Sequence, residues 1–165
     1  MLLEGSCHCG AVRFRVESAT PYPFMLCYCG ICRKTAGTGG YAINLGADAA
    51  TMEIEGRESV GVYNAVLHDR GGSGESGRST ARRSFCTLCG TALWLYEPND
   101  PELVHPHASA VDTPLPEPPE RVRIMLSSRA SWTELPPDDG TERRFEGYPD
   151  ESLEEWHRRH GLYDG

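Results

Sequence analysis

Seven cysteines stand at positions 7, 9, 27, 29, 32, 86 and 89 of a 165-residue chain, and their spacing restricts the fold more than any other feature. An odd number cannot close into intramolecular disulfides without a leftover thiol. The opening Met1-Leu2-Leu3-Glu4-Gly5-Ser6-Cys7 has neither a basic start nor an apolar run of signal-peptide length, which predicts a cytoplasmic chain whose thiols stay reduced. The cysteines also fall at metal-ligand spacing, in Cys7-x-Cys9, Cys27-x-Cys29, Cys29-x-x-Cys32 and Cys86-x-x-Cys89. Metal binding is therefore expected, rather than a disulfide framework or a scatter of small buried hydrophobes.

Composition narrows the partners. The net charge of -8 is unevenly spread: residues 1–64 carry -1, residues 65–95 carry +2 and residues 96–165 carry -9. A nucleic-acid binder needs a basic face to neutralise phosphates, and only isolated Arg pairs are present, so DNA and RNA are excluded as partners. No stretch approaches the roughly 18 apolar residues of a membrane span. The length suits one domain, residues 1–165, and leaves the oligomeric state open, a homodimer included.

The pattern along the chain is mainly β. Ala11–Val16 alternates apolar residues with Arg, the period of a strand with one face on a core. Phe24–Cys29, Tyr41–Leu45, Met52–Glu55, Val60–Leu67, Arg82–Cys86, Thr91–Tyr96, Val104–Ala110 and Arg121–Leu126 read as further strands, separated by Gly- or Pro-bearing turns and predicted to pair mostly antiparallel. A single helix is expected, at the C-terminus. Ser152 and Glu155 have capping-box spacing there, Arg158 and Arg159 suit its negative end, Gly161 can end it, and Trp156 would dock it.

On a strand, residues i and i+2 point the same way, so Cys-x-Cys would offer two thiolates to one side, whereas Cys-x-x-Cys curls around an ion. Cys27, Cys29 and Cys32 can supply three sulfurs to one ion, leaving Cys7, Cys9, Cys86 and Cys89 for a closed shell of four. Spacing alone does not fix that partition. A fourth ligand for the three could come from His105 or His107, which would turn an open site into a second structural one.

Three segments resemble the glutathione-dependent formaldehyde-activating enzymes: Gly5-Ser6-Cys7-His8-Cys9-Gly10-Ala11-Val12-Arg13-Phe14, Cys27-Tyr28-Cys29-Gly30-Ile31-Cys32-Arg33-Lys34-Thr35-Ala36-Gly37, and Arg83-Ser84-Phe85-Cys86-Thr87-Leu88-Cys89-Gly90-Thr91-Ala92-Leu93. The resemblance implies a β-tent fold of antiparallel sheets stapled by metal, with two zinc ions per chain. One would be a structural zinc on Cys7, Cys9, Cys86 and Cys89, and the other a catalytic, open zinc on Cys27, Cys29 and Cys32. It also implies a carbon-sulfur lyase similar to S-(hydroxymethyl)glutathione synthase, with a small thiol and an aldehyde as substrates. Beyond residue 100 the likeness thins, and Arg123 stands where the family often has His.

Three thiolates on a zinc leave it electron-rich, better suited to hold a fourth thiolate than to make hydroxide, and a coordinated thiol is deprotonated outright. Arg33 and Lys34, the chain's only lysine, directly follow the last of those cysteines and are the expected holders of substrate anions, with Arg13, Arg15, Arg82 and Arg83 adding positive potential. Tyr41, His105 and His107 are the candidate general bases. Gly72–Ser79 nearly spells a phosphate-binding loop but lacks the helix that should follow, so it reads as a loop and a candidate lid over the open site. Two rival readings use the same residues: a zinc-stabilised binding or chaperone-like module without turnover, and a zinc lyase or hydrolase of another substrate.

Overall fold

The computed structural model describes residues 1–22, 24–67 and 77–162. It is mainly β, in three sheets, with two short helices. The first sheet is antiparallel and is built from β1 (Leu2–Ser6), β2 (Arg13–Glu17) and β6 (Glu53–Glu55), with β2 in the middle. Its alternation is visible in β2, where Phe14 and Val16 are buried and Arg13, Arg15 and Glu17 are exposed. The register sets Leu3 opposite Val16, so their side chains share the inner face.

The second sheet, also antiparallel, runs in the order β5 (Ala47–Asp48), β10 (Leu103–Pro106), β9 (Ala92–Tyr96), β8 (Gly77–Cys86) and β7 (Val60–Leu67). The main core lies between these two sheets. Leu3, Val12, Val16, Leu45, Leu93 and Val104 are buried in it, and Phe14 meets Trp94 edge to face at 5.5 Å. Each such aliphatic side chain contributes roughly 1.5–3 kcal/mol by leaving water.

The pairing is mostly antiparallel, as expected, and the third sheet holds the exception. Its order is β12 (Glu142–Arg144), β11 (Arg121–Ile124), β3 (Phe24–Cys27) and β4 (Ala42–Asn44), and only the β3–β4 pair is antiparallel; β11 lies parallel to both its neighbours. The reason is connectivity: β3 and β11 are nearly a hundred residues apart in sequence, and long crossovers permit parallel pairing where hairpins do not.

Two expectations change. The segment Val104–Ala110 is not one strand: β10 ends at Pro106, and Ala108–Ala110 forms a 3-10 turn. A second helix is present, α1 (Gly30–Ala36), directly after β3. The C-terminal helix α2 (Leu153–Arg159) is as expected, with the full Ser152–Glu155 capping box and Trp156 only 3% exposed. Trp156 packs with Val122, Ile124, Cys27 and Cys32, the second buried cluster of the molecule. Residues 72–76 of the phosphate-loop look-alike lie outside the described residues; Gly77–Ser79 open β8, so that segment leads into a strand, not a helix.

Candidate metal centres

Cys7 and Cys9 lie on a turn after β1, so Cys7-x-Cys9 is not a strand pair, while Cys86 closes β8 and Cys89 lies on the turn that follows. The two turns share a plan. The Cys7 amide donates to the Val12 carbonyl at 2.9 Å and the Gly10 amide to the Cys7 carbonyl at 2.9 Å. In the second turn the Cys86 amide donates to Thr91 at 2.9 Å and the Gly90 amide to Cys86 at 2.8 Å. Gly10 and Gly90 take φ of 75° and 76°, a conformation that favours a residue without Cβ. The His8 amide ties the turns together by donating to Thr91 Oγ1 at 3.1 Å.

The sulfurs of Cys7, Cys9, Cys86 and Cys89 all lie within 4.8 Å of one another. Cys7 and Cys9 are 3.5 Å apart, and Cys9 and Cys86 3.8 Å. A tetrahedral zinc with bonds of 2.3 Å sets its sulfurs about 3.8 Å apart, and this donor set is gathered on that scale. Bonds from the Thr91 hydroxyl and from the Thr91 and Cys9 amides hold the Cys89 thiol down to about 5, which favours the ligating thiolate.

Cys27, Cys29 and Cys32 form the second group, their sulfurs again within 4.8 Å of one another. Cys27 closes β3, but Cys29 is the N-cap of α1, its sulfur accepting the Cys32 amide at 3.3 Å. A strand-to-helix corner, not strand alternation, brings these three together. Bonds from Cys27 and Cys32, aided by the Cys32 and Ile31 amides, hold the Cys29 thiol far below its ordinary range, while bonds to Cys29 and Cys32 push Cys27 far above it. One thiol of the three thus ionises readily and its neighbours resist. A metal ion taking all three must displace those protons, so its uptake depends on pH. Either cluster could hold a metal ion; among the described residues neither His105 nor His107 joins the second group. Their Nδ1 atoms are bonded to the Leu45 carbonyl at 3.1 Å and to Asn44 Oδ1 at 3.0 Å.

The three cysteines line an open cleft of about 2190 Å³, shared with Lys34, Arg83, Tyr148 and His105. Arg33, beside Lys34 on α1, does not line it, and neither do Arg13, Arg15 and Tyr41. Arg15 is paired with Glu53 at 2.7 Å on the surface, and the Tyr41 ring packs on Tyr28 at 5.1 Å. His107 is 3% exposed, and burial, with help from the charge of Arg83, pushes its pKa down to about 4; it is neutral at ordinary pH. His157 and His160 are packing residues as expected, the first bonded to the Tyr22 carbonyl at 2.7 Å and the second against Trp156.

Three features escaped the sequence. Tyr28, between the cysteines, is fully buried, and its hydroxyl accepts from Arg123. Arg123, itself 8% exposed, pairs with Glu142 at 2.7 Å, and Glu142 pairs in turn with Arg144 at 2.6 Å. This buried ionic chain connects β12 through β11 to the Cys27–Cys29 corner. Met125, at the mouth of the cleft, has φ of 61°, the one left-handed non-glycine residue among those described. Tyr148 also faces the cleft and is 77% exposed.

The sequence profile of the glutathione-dependent formaldehyde-activating enzymes matches residues 2–127. A Halomonas elongata protein, provisionally named a glutathione-dependent formaldehyde-activating enzyme, is 55% identical over the whole of both chains. The crystal structure of a Rhodobacter sphaeroides protein aligns with a TM-score of 0.51 at 22% identity, covering 86% of this chain and 98% of that one, a likeness of fold. A profile match over most of the length, joined to a relative 55% identical from end to end, shows that the chain belongs to the glutathione-dependent formaldehyde-activating enzyme family.

Proposed function

We propose that the protein is a zinc-dependent carbon-sulfur lyase or synthase, a single domain of residues 1–165. It would join a thiol, glutathione or a similar one, to a small aldehyde such as formaldehyde, and split the same adduct. The observation that carries this reading is the three-cysteine cluster, which opens on a cleft and has no fourth protein ligand among the described residues. A complete set of four would support the fold; three leave a position for substrate.

In the reaction a sulfur lone pair attacks the aldehyde carbon, the carbonyl π pair moves to oxygen, and the thiol proton ends on that oxygen. No oxidant or other co-reactant is needed, and the reverse breaks the same bond. A zinc bound by Cys27, Cys29 and Cys32 would supply the charge that favours the thiolate form of an incoming thiol. The chain supplies the rest. The Cys32 amide orients the Cys29 sulfur. The Tyr28–Arg123–Glu142 chain fixes the corner that carries Cys27 and Cys29. Lys34 and Arg83 bring positive charge to the cleft, where a bound thiolate and its carboxylates would need it. His107 is neutral, bonded and outside the cleft lining, so it supports no role as a base. Seven free thiols suit a reducing compartment, and we place the protein in the cytoplasm.

Metal analysis of the wild type and Cys32→Ser, together with NMR exchange between formaldehyde and glutathione, tests the reading. The expected result is about two zincs in the wild type, about one in the variant, and exchange accelerated by the wild type alone. Two zincs without acceleration would overturn the enzyme reading in favour of a binding module.

A further inference from the structure

Arg83 stands on β8, opposite Tyr63 of β7 and Leu95 of β9, and its side chain reaches the cleft that holds the three cysteines. Its Nη1 is fully buried and meets no hydrogen-bond partner. Three other arginines that are at least partly buried are paired: Arg123 and Arg144 with Glu142, and Arg143 with Glu151 at 2.6 Å. Arg83 has no such carboxylate among the described residues, although Asp48, Glu97, Asp100 and Glu102 line other parts of the same cleft. Nor does it bond to any of the three sulfurs. It shares the lining of one cleft with all three cysteines, with Lys34 and with Tyr148.

A buried guanidinium N–H without a partner is costly, and more so than a neutral donor. We propose that Arg83 is the anion-recognising residue of this site, and that the thiol it serves carries a carboxylate. The proposal rests on the reading of the cysteine cluster as a thiol site and deepens it by naming the residue that tells a carboxylate-bearing thiol from other thiols. A guanidinium presents parallel N–H groups that match a carboxylate in a bidentate bond, which an ammonium such as Lys34 does not. The oxygen of the thiol-aldehyde adduct is a less suitable partner, because it ends protonated and uncharged, whereas Arg83 is a permanent cation. Volume points the same way. A cleft of about 2190 Å³ far exceeds a small aldehyde, so a thiol with a body of its own needs an anchor besides its sulfur. Arg33, whose Nε is also buried without a partner, is not in this position because it does not line the cleft.

The test is calorimetric binding of glutathione, its dialkyl ester and 2-mercaptoethanol to the zinc-loaded wild type, Arg83→Gln and Arg83→Lys, with zinc content measured for each. The wild type is expected to bind glutathione about 10- to 100-fold more tightly than the diester. Arg83→Gln removes that preference by weakening glutathione alone, and Arg83→Lys restores part of it. Comparing acid with ester on the wild type requires no variant to fold. Equal affinity for the two would overturn the carboxylate role, as would an equal loss for all three thiols in Arg83→Gln, which would make Arg83 a charge balancer for the cysteines. In both cases thiols still bind and the underlying reading stands. A loaded wild type that binds none of the three overturns both.

Discussion

Cys7 and Cys9, on the turn after β1, meet Cys86 at the end of β8 and Cys89 on the turn that follows, with Cys9 and Cys89 exposed. Cys27, Cys29 and Cys32 gather where β3 turns into α1, with Cys27 and Cys32 buried and a cleft leading to them. The set nearer the surface is the complete one, and the set deeper in the molecule is the incomplete one. A full shell of four thiolates has no open position, so it can stand at the surface without inviting ligands; a set of three must be reached by substrate through a defined approach. The difference is the one the proposed function needs, a closed set that holds the fold and an open set that meets the thiol, and substitutions can separate the two.

The largest contrast is expected between Cys86→Ser and Cys32→Ser. Structural zinc contributes on the order of 10 kcal/mol of folding free energy in small zinc domains, comparable to the whole stability of a typical domain. Cys86 is fully buried and holds the junction of β8 with the turn from β1. Cys86→Ser should therefore lose one metal and its cooperative melt by circular dichroism. Cys32→Ser should also lose one metal but melt within a few degrees of the wild type. Equal damage from both would break the distinction.

The second contrast uses Arg123 and Glu142, whose side chains are 9% and 7% exposed. Removing one partner leaves a buried charge, at a cost of about 3–5 kcal/mol, whereas replacing both by apolar residues costs less. Arg123→Ala should lower denaturant stability by that amount and speed release of the metal from Cys27, Cys29 and Cys32, leaving the other site as it was. The pair also acts with pH. Burial raises the Glu142 pKa, but the bonds to Arg123 and Arg144 outweigh it, and the net shift is downward. Its stabilisation is thus present at neutral pH and fades as pH falls below about 4 through the folded-state value. Arg123→Ala should flatten that part of the stability profile.

The third concerns the seam between the sheets, where Asn44 of β4 bridges to His107 and bonds its ring. Burial lowers the His107 pKa from about 6.5 to about 4, so the native state takes up its proton later than the unfolded chain does. The stabilisation is full above pH 6.5 and is lost as pH falls toward 4, by about 3 kcal/mol in all. His107→Gln should reduce the slope of unfolding free energy against pH in that interval; an unchanged slope would show that the cysteine clusters alone set the acid limit.

How much of this was legible in the sequence follows from which residues carry the signal. Strand β2, with its alternating apolar residues, and the capped helix α2 were readable because propensity agreed with period in the one and with capping in the other. Helix α1 was not, since seven residues barely complete two turns of period and its cap is a cysteine rather than Ser, Thr, Asp or Asn. Strand β12 was invisible for another reason. Glu142, Arg143 and Arg144 are all charged, and only pairing with Arg123 and Glu151 lets them lie in a sheet. Arg83 could be named as one of several cations but not singled out, because its lack of a partner is a property of the fold.

The smallest contrast lies in two glycines that follow ligating cysteines. Gly90, after Cys89, has φ of 76° and open space where a Cβ would stand, so Gly90→Ala meets backbone strain alone. It should cost about 1 kcal/mol, the penalty of a left-handed alanine. Gly30, after Cys29, begins α1 without a positive φ and also has open space about its Cβ position. There alanine removes freedom from the unfolded chain and favours the helix, so Gly30→Ala should add about 0.5 kcal/mol. Chemical denaturation of the two zinc-loaded variants resolves opposite signs of this size. The signs depend on one cluster being built on turns and the other on a helix cap; destabilisation by both would mean that the helix corner, too, uses its glycine for shape.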